Sequence, residues 1–146
     1  CDWSSAVCSS DLGMQAVVPA MKRAGGGAIV VTASSVALRA DAALLGYSAS
    51  KHALIGLVQA AAGDLASSRI RVNAICPGAV ATGMVSIDTS PGSPLAMLHP
   101  LGRVAQPAEI GDLVAFLASD AAGFITGAAV PIDGGLTALT VPRNRV

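Results

Sequence analysis

Gly27-Ala28-Ile29-Val30-Val31-Thr32-Ala33-Ser34-Ser35 is the stretch on which the fold of this 146-residue chain turns. Ala28 to Thr32 is a short β-branched apolar run with no polar alternation, as a strand buried on both faces of a parallel sheet requires. Gly25-Gly26-Gly27 stops whatever precedes it. A serine pair, Ser34 and Ser35, follows at the carboxyl end of the strand, which is where open α/β sheets bind ligands.

Upstream of that strand, Met14, Val17, Val18 and Met21 recur at helical spacing and lead into Lys22-Arg23, predicting a helix over 13–23. Downstream, Arg39 to Leu45 reads as a connecting loop. A long helix is expected from about Gly46 to Ser67, with Ala53, Leu54, Leu57, Val58, Ala61 and Leu65 as its apolar stripe. Ile70 to Ile75 alternates with Arg71 and Asn73 and reads as a second strand, broken by Cys76-Pro77-Gly78. Val80 to Leu101 is weakly periodic and has the character of a mobile lid or substrate loop, in which Met84 and Met97 are candidate pocket residues. Pro107 opens a further helix with Glu109 in its first turn and Ile110, Leu113, Val114, Phe116 and Leu117 on its buried face. Gly123 to Gly127 turns the chain into a last strand, Ala128 to Ile132, closed by Asp133-Gly134-Gly135 and a loose tail. Strands alternating with helices in this order specify an α/β fold, a parallel sheet with helical crossovers.

Composition narrows the function. Hydrophobic residues are 53% and charged residues 12%, which excludes disorder and suits a chain buried partly against another subunit. A net charge of +0 and 3% aromatic residues leave no basis for a nucleic-acid partner. Cys1, Cys8 and Cys76 form no C-x-x-C pair and no metal-ligand spacing with His52 or His99, so no metal is expected and a reduced, cytoplasmic protein is. No apolar stretch reaches membrane-spanning length and no basic segment precedes an apolar core, so no membrane partner is expected. Residues 1–12 are Ser-, Cys- and Asp-rich without period and are read as a non-native segment from gene assembly, leaving 13–146 as part of a single domain. The chain does not begin with methionine and is expected to be a piece of a longer protein.

The chemistry sits in Tyr47-Ser48-Ala49-Ser50-Lys51. On a helix, residues four apart share a face, so the phenol and the ammonium stand one turn apart. A fixed cation there favours the phenolate and brings a phenol into acid/base range. A hydroxyl from another element could then hold a carbonyl oxygen beside it. Taken alone the pair is equally readable as a helix-surface pair. Ser34 and Ser35 can equally cap a turn, Thr82 can be an ordinary loop hydroxyl, and Cys76 reads as a small buried apolar side chain. His52 is expected to face away from the site, and His99 is a minor candidate for a substrate contact.

These pieces in order resemble the short-chain dehydrogenase/reductase family. The matching stretches are Gly27 to Ser34, Tyr47 to Lys51, Pro77-Gly78-Ala79-Val80-Ala81-Thr82, Pro100-Leu101-Gly102-Arg103, Gln106-Pro107-Ala108-Glu109-Ile110, Thr126-Gly127 and Asp133-Gly134-Gly135. The resemblance covers Gly13 to about Leu136. It implies the C-terminal half of a Rossmann-like, doubly wound parallel sheet with flanking helices. It also implies an oxidoreductase that uses NAD or NADP to interconvert a secondary alcohol and a ketone. Tyr47 would be the acid/base. Lys51 would bind the nicotinamide ribose and activate Tyr47. Ser34, with Ser35 as runner-up, would bond the substrate oxygen. Pro77, Gly78, Val80 and Thr82 would line the nicotinamide and a phosphate. The family's glycine-rich phosphate loop, its residue choosing NAD or NADP and its catalytic asparagine have no counterpart here, so the piece is expected to be inactive alone. Other readings are an epimerase or dehydratase on the same scaffold, and a non-catalytic oligomerisation fragment of a homo-oligomer.

Overall fold

The computed structural model describes residues 4–42, 44–83 and 88–138, with residues 4–8 as backbone only. Helix α1 spans Ser4–Ala24, strand β1 Gly27–Thr32, helix α2 Leu45–Leu65, strand β2 Ile70–Pro77, the short helix α3 Pro94–Met97, helix α4 Pro107–Ala118 and strand β3 Ala129–Ile132. Single 3-10 turns sit at Ser35–Ala37, Ala66–Ser68 and Asp120–Ala122. The sheet order is β1-β2-β3, with both pairings parallel. The register sets Thr32 opposite Ile75 and Pro77 opposite Ile132, so the carboxyl ends of all three strands finish along one edge.

Burial explains this order. β2 lies between the other two strands, and its Val72, Ala74, Ile75 and Cys76 are fully buried. Alternate β2 residues face opposite layers. Ile70, Val72, Ala74 and Cys76 join Met14, Leu54, Val58 and Ala62 of α1 and α2 in the larger core. Ile75 packs with Leu117 and Ala122 on the α4 side, where Val30, Ile110, Leu113 and Val114 are partly buried. Both faces of a parallel sheet are covered this way because its crossovers are helical.

Several boundaries and faces differ from the expectations. α1 begins at Ser4 and not near Gly13. Polar residues break the apolar period without forbidding helix, and each added residue propagates an established helix at little cost. Asp11 contributes one turn-to-turn contact, accepting from Gln15 Nε2 at 2.9 Å. β2 runs on through Cys76 and Pro77, because Gly78 N–H still donates to Ile132 O at 3.1 Å and so carries the ladder past the proline. Asn73 is not a solvent-facing alternate of that strand but is fully buried. Its amide donates to Ile125 O at 2.9 Å and accepts from Ala128 N–H at 3.1 Å. On α2, Ala53 faces outward and Ala62 takes the stripe position; on α4, Phe116 is exposed. The segment 80–101 contains a capped helical turn, α3, with Ser93 Oγ accepting from Ala96 N–H at 3.2 Å. Met84 and the end of the tail, 139–146, lie outside the described residues.

Candidate active site

The candidate residues come from four elements that meet at the carboxyl edge of the sheet. β1 ends at Thr32, and Ser34 caps the 3-10 turn that follows, its hydroxyl accepting from Val36 N–H at 3.4 Å. The same residue's backbone N–H reaches the Cys76 thiol of β2. Ser34 is half-buried, whereas Ser35 is 5% exposed and forms part of the wall of an adjoining cavity with Val36, Leu98 and Leu136.

Tyr47 and Lys51 lie on the first turns of α2, where the four-residue spacing sets them on one face. The Lys51 ammonium stands over the Tyr47 ring, 5.6 Å from its centroid. It also donates to Thr32 O at 3.3 Å, which fastens this face of α2 to the end of β1 two residues before Ser34. Tyr47 is 47% exposed, so its phenol is open to a ligand. Ser50 Oγ donates to Tyr47 O at 2.8 Å and stiffens the turn that carries the phenol. His52 Nδ1 donates to Ser48 O within its own helix, at 2.9 Å.

From the end of β2 the chain passes through Pro77 and Gly78 to a parallel bridge between Val80 and Ala105. Ala105 N–H donates to Ala79 O and Ala105 O accepts from Ala81 N–H, each at 2.9 Å. In such a bridge the central residue's own N–H and C=O point to the other side. Val80 therefore presents one donor and one acceptor side by side, as a planar amide would require. Thr82 follows with an exposed side chain. Gly78 has a steric reason: a Cβ there would come within 2.7 Å of His99 Nε2 and 3.1 Å of Asp133 Cα.

Residues the sequence reading weighted lightly hold this edge together. His99 is 2% exposed and its ring bonds Ala79 N–H, so its side chain is committed to the protein and not offered to a substrate. Asp133 caps the turn after β3, accepting from Thr137 Oγ1 at 2.6 Å, Thr137 N–H at 2.8 Å and Gly135 N–H at 2.9 Å. Burial pushes its carboxyl up, but those bonds, with the nearby His99, outweigh burial and leave it below the usual carboxylate range. Cys76 is a free buried thiol, raised chiefly by desolvation, with Ser34 N–H opposing and Asp133 adding to the rise. Among the described residues, no group of three or more His, Cys, Asp or Glu is placed to hold a metal, and no helix is long and apolar enough to cross a membrane.

A three-stranded parallel sheet with helices on both faces, and with Tyr47 and Lys51 of α2 beside the carboxyl end of β1, is part of a Rossmann-like fold. A family model described as enoyl-(acyl carrier protein) reductase matches residues 5–137, and the chain belongs to the short-chain dehydrogenase/reductase family. Cyclohexanol dehydrogenase of Acinetobacter sp. (strain SE19) is 43% identical over 120 residues, which cover 82% of this chain and 47% of that protein. Acetoin dehydrogenase YohF from Salmonella typhimurium superposes with a TM-score of 0.84 at 34% identity, covering 93% of this chain and 54% of that one. Carveol dehydrogenase from Mycobacterium avium in complex with NAD does so with a TM-score of 0.80 at 34% identity, covering 86% and 52%. The chain thus spans about half the length of the relatives it matches.

Proposed function

We propose that this chain carries the proton-transfer half of an NAD(P)-dependent oxidoreductase that interconverts a secondary alcohol and a ketone. The observation that carries the reading is Lys51. Its ammonium lies 5.6 Å from the Tyr47 ring centroid and 3.3 Å from Thr32 O, so one cation serves the phenol and the strand end beside Ser34. Two of the relatives described above, cyclohexanol dehydrogenase and carveol dehydrogenase, act on alcohols by name, which supports the same class.

In the reducing direction Tyr47 donates its phenolic proton to the carbonyl oxygen. The Lys51 ammonium favours the negative charge left on the ring oxygen. Ser34 donates its hydroxyl proton to the same substrate oxygen and offsets the charge growing there. The nicotinamide, when bound, supplies or accepts the hydride. Val80 would hold its carboxamide through the outward N–H and C=O, Lys51 its ribose, and the exposed Thr82 hydroxyl a phosphate. Pro77 and Gly78 would bring the backbone close to the ring. The chemistry of this donor set suits NAD and NADP alike.

Tyr47→Phe in the complete enzyme is the test. Hydride transfer to a panel of cyclic ketones, followed by nicotinamide absorbance, should be lost while cofactor binding persists. Retained turnover would remove Tyr47 from the mechanism. An epimerase or dehydratase would instead show product without net change in that absorbance.

A further inference from the structure

His99 has two ring nitrogens and two partners whose roles are not interchangeable. Nε2 lies 3.1 Å from Ala79 N and Nδ1 lies 3.0 Å from Leu95 O. A backbone N–H can only donate and a backbone C=O can only accept. Nε2 must therefore be the bare acceptor and Nδ1 must carry the proton, which selects the neutral Nδ1–H tautomer. The ring is clamped between two positions without side chains. A Cβ on Gly78 would meet Nε2 at 2.7 Å, and one on Gly134 would meet His99 Cβ at 3.3 Å. At 2% exposure, water cannot readily replace either partner.

We infer that His99 is a positioning residue: as the Nδ1–H tautomer it fastens the segment around α3 to the Ala79 amide and thereby sets how Val80 presents its backbone to the cofactor. The second half of this inference rests on the proposed role of Val80. Ala79 is held from both sides, its N–H by His99 and its C=O by Ala105 N–H at 2.9 Å. The peptide leading into Val80 is consequently fixed only while His99 stays an acceptor.

The charged groups around the ring are Asp133 from the turn after β3, and Arg103 with Glu109 of α4, which share a cavity with it. Arg103 and Glu109 neutralise one another through paired bonds at 2.8 Å.

The test uses the 146-residue chain itself. Histidine ring nitrogen-15 spectra at about pH 8 should show the proton on Nδ1 of His99, and amide exchange should show Ala79 protected. His99→Gln, which keeps one acceptor and one donor, should hold Ala79 protected. Corrected for intrinsic exchange, His99→Leu should lower that protection by roughly 10-fold or more. A proton on Nε2 in the wild type, or equal Ala79 protection in wild type and H99L, would overturn the inference. If the amide results hold but NADH affinity is the same in wild type and H99L, the link to the cofactor falls, and the proposed role of Val80 with it.

Discussion

The acid/base role proposed for Tyr47 falls on a side chain that the fold hardly needs. Tyr47 is 47% exposed, and its ring rests against one ammonium and the helix that bears it. Removing the hydroxyl alone leaves that packing in place, so Tyr47→Phe should unfold within about 0.5 kcal/mol of wild type, as surface substitutions do. Turnover in the complete enzyme should drop by at least about 100-fold, the low end of what a positioned acid/base contributes. A matched pair of thermal melts and progress curves checks both halves. Ser34 and Ser35 separate in the same way. Ser34 is half-buried just past the end of β1, its hydroxyl capping the turn that follows, while Ser35 is buried in a cavity wall. Ser34→Ala should therefore lower kcat with little change in melting temperature, and Ser35→Ala should do the reverse. Equal kcat losses in both would mean that the two hydroxyls share the substrate oxygen.

At the scale of elements, one acid-sensitive contact lies at the start of α4. Glu109 accepts two bonds from Arg103 at 2.8 Å and one from Gln106 N–H at 2.8 Å, which caps the helix. Arg103 chiefly, then the Gln106 N–H, pulls the Glu109 carboxyl from 4.5 down to about 2. A carboxylate lowered on folding adds stability above its unfolded value and loses that contribution as pH falls toward its folded value. The loss should fall between about pH 4.5 and about pH 2, and Glu109→Gln should flatten that part of a pH–stability curve. The site is solvent-open, so salt should shrink the effect. The strands and long helices that frame this region were legible as β-branched runs and apolar stripes, because those patterns are local. The polar ties between them were not. Asn73 mimics the outward residue of an alternating strand, yet its partners are the backbone at Ile125 and Ala128, more than fifty residues away. His99 bonds an amide twenty residues back, and no periodicity registers a side-chain-to-backbone bond across a loop. Asn73→Ala would leave the part-buried Ala128 N–H without this acceptor and Ile125 O with the longer bond from Arg71 Nη1 at 3.4 Å, a loss of roughly 1–3 kcal/mol in all. Urea unfolding measures that loss directly.

For the whole molecule, the decisive feature is which part of a dinucleotide the proposed site can reach. Lys51, Pro77, Gly78, Val80 and Thr82 stand at the ends of β1 and β2 and the start of α2, within one short edge of the sheet. Each is assigned to the nicotinamide, its ribose or the adjoining phosphate; adenosine is assigned to none of the residues described. If that division holds, the 146-residue chain should distinguish poorly between NADH and reduced nicotinamide mononucleotide, which lacks adenosine. Titration calorimetry should return affinities for the two within about 10-fold, or about 1.4 kcal/mol. Lys51→Met should weaken both by a similar factor, since the ribose contact is common to both. An NADH affinity a hundredfold or more above that of the mononucleotide, roughly 2.7 kcal/mol, would mean that this chain also grips adenosine and that the cofactor assignment is drawn too narrowly. Heat from neither ligand would favour the reading of the chain as an oligomerisation fragment. Its exposed apolar side chains, Phe124 and Leu45 foremost, would then be expected to seat a second copy, and sedimentation would show it.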